Sequence, residues 1–284
     1  MRINDEIEYL GKCLFLKRES ILVIGDLHLG YEEILNKSGV LVTRAMFSEM
    51  IDYFDSVFRE LKRREKEDGK SRRVNEIVLL GDVKHGFARP EKQEWNDVIE
   101  LFDYFIGRNV EKIIVVKGNH DNYIKNIAGK RNVFVEDFYF VFEEDGKKIG
   151  FCHGDKRFDE LEEKDVKMWI MGHGHPAMRL RDEKNGKEEL YKCFLVGKYK
   201  VKGKGIWNLK EVIIAPSFID YSEGTDAREN DLGLAWDFEL GKFNVRIISD
   251  SLENERGKNL KRVDKKDREK FRVWDFGKLK NLRN

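Results

Sequence analysis

Five short segments of this 284-residue chain carry side chains that could hold metal ions: Asp26-Leu27-His28, Gly81-Asp82, Gly118-Asn119-His120-Asp121, His153-Gly154 and Gly172-His173-Gly174-His175. Of the six histidines only His85 lies outside them. Asp and Asn offer oxygen and His offers imidazole nitrogen, a mixed set that suits Mn, Fe, Ni, Co or Zn at a catalytic centre. A structural zinc site would call on cysteine. Cys13, Cys152 and Cys193 are far apart and form no CxxC pair, so neither that site nor a disulfide framework is expected. Hydrolysis at phosphorus is one chemistry that such donors support. Two ions about 3.5–4 Å apart clamp a phosphoryl group and share a hydroxide nucleophile. A lone histidine would read as a packed or solvated residue, but five such segments together read as a site.

Something must bring these segments to one place. Apolar runs at 14–16, 21–25, 77–80 and 113–116 predict strands, and donors directly follow all but the first. Residues 43–66 place Phe47, Met50, Ile51, Phe54, Val57, Phe58 and Leu61 at helical spacing, and a second helix is expected from Pro90. The resulting β-α-β-α-β order, with strands apolar throughout, predicts a parallel sheet covered on both faces. Donors at carboxyl ends of such strands face the crevice where open α/β sheets bind ligands. A glycine beside each donor lets the backbone turn and approach closely. Beyond residue 130 the pattern becomes strand-rich, with strands expected at 133–142, 149–152, 169–171, 212–215, 232–238 and 243–248. A hairpin turn is expected at Glu144-Asp145-Gly146. A second sheet packed on the first accounts for this half.

The chain is 40% hydrophobic and 38% charged with a net charge of +1, so overall charge does not single out nucleic acid as a partner. The charge is unevenly spread: residues 251–284 hold twelve Lys/Arg against six Asp/Glu. The expected organisation is a catalytic domain over 1–250 and a basic C-terminal extension over 251–284, in which Phe271, Trp274 and Phe276 either contact nucleic acid or dock on the domain. Lys198, Lys200, Lys202 and Lys204 alternate at strand spacing, giving either a lysine-protected edge or a rail for nucleic-acid phosphates near the metals. No leader-like or membrane-spanning apolar run is seen, and a cytoplasmic, reducing location is the expectation.

The ordered set Gly25-Asp26-Leu27-His28-Leu29-Gly30, GDVKHG at 81–86, GNHD at 118–121, HGD at 153–155 and GHGHP at 172–176 resembles the calcineurin-like metallophosphoesterase superfamily. The resemblance implies an α/β fold, a four-layer α/β/β/α sandwich of two mixed sheets flanked by helices. It implies that one divalent transition-metal ion, Mn2+ by first expectation, takes Asp26, His28, Asp82 and His175. A second takes Asp82, Asn119, His153 and His173, with Asp82 bridging. His120 would then protonate the leaving oxygen, with Asp121 orienting its imidazole. The protein-phosphatase branch has Asp-Arg-Gly where this chain has Lys84-His85-Gly86. GD-x-x-H is instead similar to SbcD-type nuclease subunits, where the histidine at the position of His85 helps set the DNA or leaving group. The implied function is a phosphodiesterase acting on DNA or RNA. The alternative is a phosphodiesterase or phosphomonoesterase acting on small or cyclic nucleotides. A non-catalytic interaction module is disfavoured, because such relatives would be expected to lose ligands and here every position is filled.

Overall fold

The computed structural model describes residues 6–181, 186–203, 206–219, 224–229, 231–249 and 271–282. Two sheets pack face to face. The first contains β1 (Ile7–Leu10), β2 (Cys13–Leu16), β3 (Ile21–Ile24), β4 (Glu76–Leu79), β5 (Lys112–Val116) and β6 (Phe134–Glu136), side by side in that order. β1 to β3 form an antiparallel meander, and β3 to β6 run parallel. Parallel neighbours need crossovers. These contain α1 (Tyr31–Lys37) and α2 (Met46–Asp68), then α3 (Lys92–Ile106), then α4 (Ile124–Ala128).

The apolar strands follow from this layering. Along β3, Leu22 and Ile24 face the helices while Ile21 and Val23 face the second sheet. Ile113 and Val115 of β5 alternate with Ile114 and Val116 in the same way. Over the helical face, α2 buries Met46, Met50, Tyr53, Phe54, Val57 and Leu61, each aliphatic or phenyl side chain contributing about 1.5–3 kcal/mol. Ala45, which precedes α2, has no capping side chain of its own. Glu32 of α1 substitutes, accepting the amides of Ala45 and Met46 at 2.8 and 2.7 Å.

The second sheet contains β7 (Phe138–Phe142), β8 (Lys148–Cys152), β9 (Val166–Met171), β10 (Pro176–Arg181), β11 (Glu188–Gly203), β12 (Ile206–Ile214), β13 (Thr225–Asp226), β14 (Asn244–Ser249) and β15 (Arg272–Lys278). Its order is β13-β10-β11-β12-β9-β8-β7, with β14 on β11 and β15 on β14. β8, β9 and β12 are parallel. Two mixed sheets flanked by helices are thus as expected. Among the described residues the outer layer of the second sheet consists of short 3₁₀ turns, such as Asp159–Glu162 and Leu240–Lys242, and the irregular segment 231–239. These cover Trp169, Leu195 and Ile214.

Two expectations change. The run 133–142 is two strands: Phe134 pairs with Ile114 in the first sheet, and Phe138 with Cys152 in the second. Asp137 marks the crossing between them. Residues 232–238 form no strand; Gly233 at φ 68° turns the chain there. The turn at Gly146 is present, with φ 77°. The C-terminal residues 272–278 extend the second sheet and Phe271 packs on the helical core, whereas 251–270 and Lys204 lie outside the described residues. Among the described residues no helix is long and apolar enough to cross a membrane.

Candidate metal centre

The ends of β3, β4, β5, β8 and β9 meet at one edge of the sandwich. Loops there continue the sheet. The amides of Leu27 and His28 both donate to the Asp82 carbonyl, at 3.1 and 2.8 Å, and Leu29 donates to Val83 at 2.9 Å. The return bond, His85 to the Leu29 carbonyl at 2.8 Å, fixes the two motifs against each other. The segment after β12 closes the back: Phe218 donates to the Asp26 carbonyl at 2.7 Å and stacks on Phe54.

Donor atoms form two groups. In the first, Asp26, His28 and His175 converge. His175 Nε2 lies 3.2 Å from Asp26 Oδ1 and 3.3 Å from His28 Nε2. In the second, Asp82, His153 and His173 converge. His153 Nε2 lies 3.1 Å from His173 Nδ1, 3.1 Å from Asn119 Oδ1 and 3.4 Å from Asp82 Oδ2. The same Asp82 Oδ2 faces His28 Nε2 at 3.7 Å, so one oxygen looks into both groups. Asp26, His28, Asp82 and His153 are buried, and His173 and His175 open toward solvent.

These residues fit cations. His153 Nδ1 donates to the Leu80 carbonyl at 2.7 Å, which fixes the tautomer and turns the Nε2 lone pair toward the other donors. Imidazole nitrogens also face one another, His175 Nε2 toward His28 Nε2 and His153 Nε2 toward His173 Nδ1, an arrangement that a shared cation stabilises. The electrostatics agree. Burial opposes a charged His153, yet Asp82 and Asp26 hold it up to about 10. Burial would also raise Asp26, but His175, His153 and His28 keep its carboxyl well below the usual range. Burial takes His28 down to about 3.

Four of the seven ligand candidates adopt left-handed backbone: His28 (φ 45°), Asp82 (46°), His173 (63°) and His175 (42°). Such conformations cost on the order of 1–3 kcal/mol each in non-glycine residues and persist only where surroundings impose them. Space is equally tight. A Cβ on Gly118 would lie 2.3 Å from Asp82 Oδ1, and one on Gly81 would lie 2.5 Å from His153 Nδ1.

His120 stands beside the second group. Its amide donates to Asp82 Oδ1 at 2.9 Å and its Nε2 lies 3.9 Å from Asp82 Oδ2. The orienting partner of its ring is the carbonyl of His85, which faces Nδ1. Asp121, expected to hold this imidazole, instead accepts backbone amides from Val83 at 3.0 Å and Gly118 at 2.9 Å. It is buried, which pushes it up to about 7, and it ties the Asp82 loop to the Asn119 loop. His85 is half-buried, with Nδ1 3.1 Å from His28 Nδ1; burial and His120 lower it to about 4. His28, His85 and His120 make a third, carboxylate-free group.

Several supporting residues carry no sequence signal. Glu94 of α3 is buried and accepts the amides of His85 and Gly86 at 3.0 and 2.8 Å. Lys84 is fully buried and donates to the Gly86 carbonyl. Phe87, 59% exposed, lays its ring on His120 with centroids 3.8 Å apart. Ala235 donates to Gly154 at 2.8 Å, so segment 231–236 walls the side near His173. The lysine stripe lies away from the centre: Lys198 and Lys200 pair opposite Glu211 and Leu209. Those partners precede the end of β12 at Ile214 by about 10 and 17 Å of strand.

Residues 19–202 match the family model described as calcineurin-like phosphoesterase. No curated protein matches the chain. Among solved structures, the nuclease MPE of Pseudomonas putida is similar at 15% identity, covering 83% of this chain and 88% of its own, with a TM-score of 0.51. A protein of unknown function from Aquifex aeolicus aligns over 58% of this chain and 81% of its own, at 17% identity and a TM-score of 0.33.

Proposed function

The chain belongs to the calcineurin-like phosphoesterase family and is a metal-dependent phosphoester hydrolase; from that premise we propose that it is a phosphodiesterase acting on nucleic acid. The observation that carries the reading is the pair of donor groups sharing Asp82 Oδ2, with an imidazole that belongs to neither ligand set beside them. Asp26, His28, Asp82 and His175 would hold one divalent ion; Asp82, Asn119, His153 and His173 would hold the other. Mn2+ suits the oxygen and nitrogen donors. Bound there, such ions supply Lewis acidity, lowering the pKa of water and neutralising phosphate oxygens.

The chain's own residues do the rest. His120 keeps its Nδ1 proton on the His85 carbonyl, so Nε2 is the atom that passes a proton to the leaving oxygen. Asp82 Oδ1 holds the backbone of His120 in place, coupling the acid's position to the ligand set. The half-buried His85 lies on the same side, where it can contact the substrate or leaving group. Nucleic acid as the substrate class is supported by that histidine, by the GD-x-x-H spacing and by the structural likeness to a nuclease. The decisive assay gives the protein Mn2+ and offers bis-p-nitrophenyl phosphate, p-nitrophenyl phosphate, cyclic nucleotides, and single- and double-stranded DNA and RNA. Cleavage of DNA or RNA that Asp82→Asn abolishes is the expected result. Turnover confined to the monoester or to cyclic nucleotides would replace this reading with the small-nucleotide one.

A further inference from the structure

Phe87 presents an aromatic face to solvent beside the group that protonates the leaving oxygen. The ring is 59% exposed, and contacts on its other face and along its loop hold it in place. Its ring lies on His120 at 3.8 Å with 31° between planes, which occupies one face only. Lys84 and Glu94, both buried, clamp the backbone on either side of His85 through the Gly86 carbonyl and the His85 and Gly86 amides. Asn122 donates its side-chain amide to the Phe87 carbonyl at 3.2 Å, tying the loop to the one that carries Asn119 and His120. The exposure is thus built into a fixed loop.

We infer that Phe87 is a stacking platform for the nucleobase on the leaving-group side of the scissile phosphate. This rests on the phosphodiesterase reading above. His120 assigns the side: a ring stacked on the acid lies next to the leaving group and away from the attacking water. A bare π-face accepts any base, so the platform favours a base-bearing leaving group without reading sequence. Stacking on an aromatic side chain strengthens binding by roughly 5- to 150-fold per base.

The test compares two oligonucleotides that differ only in the nucleotide on the leaving side, base-bearing or abasic, cleaved by wild type, Phe87→Ala and Phe87→Trp in Mn2+. Metal content and melting temperature establish that each variant is folded. Wild type is expected to prefer the base-bearing step by on the order of tenfold in kcat/KM, mostly through KM. Phe87→Ala should lose that preference, whatever it costs in cleavage of the abasic step, and Phe87→Trp should keep it. Equal losses on both substrates would overturn the inference, because Phe87 would then act only by packing on His120. No base preference in wild type would overturn it as well. Wild type that hydrolyses bis-p-nitrophenyl phosphate but no oligonucleotide would instead overturn the nucleic-acid reading, and this inference with it.

Discussion

Gly118→Ala is the smallest change that should disable the centre while leaving the sandwich standing. The added Cβ would sit 2.3 Å from Asp82 Oδ1, 2.5 Å from the Asp82 amide nitrogen and 3.0 Å from its carboxyl carbon. Restoring ordinary contact distances requires Oδ1 to retreat by about 1 Å or more. That oxygen also accepts the His120 amide at 2.9 Å, so its retreat releases the acid's backbone. Oδ2 moves with it, and Oδ2 is the atom that faces both donor groups. A misplacement of about 1 Å at the chemistry can cost on the order of 100-fold in rate. The fold should lose only about 1–3 kcal/mol, the usual penalty for overpacking. The assay is kcat/KM on bis-p-nitrophenyl phosphate across a Mn2+ titration, with thermal unfolding alongside. A loss of roughly 100-fold or more, weaker metal binding and a modestly lower Tm are expected. Gly146→Ala is the control: nothing lies within 4 Å of its Cβ position, so strain from its left-handed backbone (φ 77°) lowers Tm but leaves activity and Mn2+ affinity unchanged. Wild-type activity and Mn2+ affinity in Gly118→Ala would refute the argument that Asp82 couples both groups and the acid.

His120→Ala should lower kcat by about 10²–10⁴-fold with metal content intact, and more for an alkoxide leaving group than for p-nitrophenolate; loss of bound metal would move His120 into the ligand set. Stability should depend on Mn2+, since an ion at a hundred times its dissociation constant contributes about 2.7 kcal/mol to the folded state; a Tm indifferent to EDTA and to added Mn2+ would count against the centre. Acid stability should depend on Glu8. Burial opposes its charge, but Arg72 at 2.8 Å and then Arg64 hold its carboxyl below the ordinary 4.5. A lowered folded value means that its stabilisation is complete above about pH 4.5 and is lost as pH falls through the folded value. Urea midpoints measured from pH 6 to 3 should therefore fall less steeply in Glu8→Gln, which starts lower; parallel curves would show that Glu8 carries no linkage.

The donors of the centre were legible because each follows an apolar strand, and strands that alternate between two cores place their ends predictably. Asp26, His28, Asp82, Asn119, His153, His173 and His175 do meet. What supports them was not legible, for different reasons. The acceptors for His153 and His120 are the carbonyls of Leu80 and His85, and every residue has a carbonyl. Glu94 in the first turn of α3 looks like any acid favoured by the helix dipole, and only the tertiary structure turns its carboxylate onto the His85 loop. Asp121 sits next to His120 in sequence, but its carboxylate bonds to the amides of Val83 and Gly118. The strand-like pattern at 232–238 has a different physical origin. Leu232, Leu234, Trp236 and Phe238 alternate as in a strand, yet the alternation comes from an irregular segment packing on Gly154, Gly174 and Trp169. The run 133–142 carries strand propensity throughout, and nothing local says that its halves belong to different sheets.

The strained backbone and the ligand set also explain each other. Asp26 illustrates how. Its carboxylate faces His175 Nε2 at 3.2 Å as a donor would, and it accepts the His173 amide at 3.0 Å. His173 is one of the left-handed residues, so the Asp26 carboxylate is part of what imposes that conformation. The Asp82 carbonyl does the same for His28, accepting its amide while the Asp82 side chain looks into both groups. Each acid therefore supplies a donor atom to one group and anchors the backbone of a histidine in the other. Removing Asp26 would take away a carboxylate from the first group and loosen His173 in the second, so substitutions at Asp26 and His173 should not add. A centre wired in this way responds as one unit.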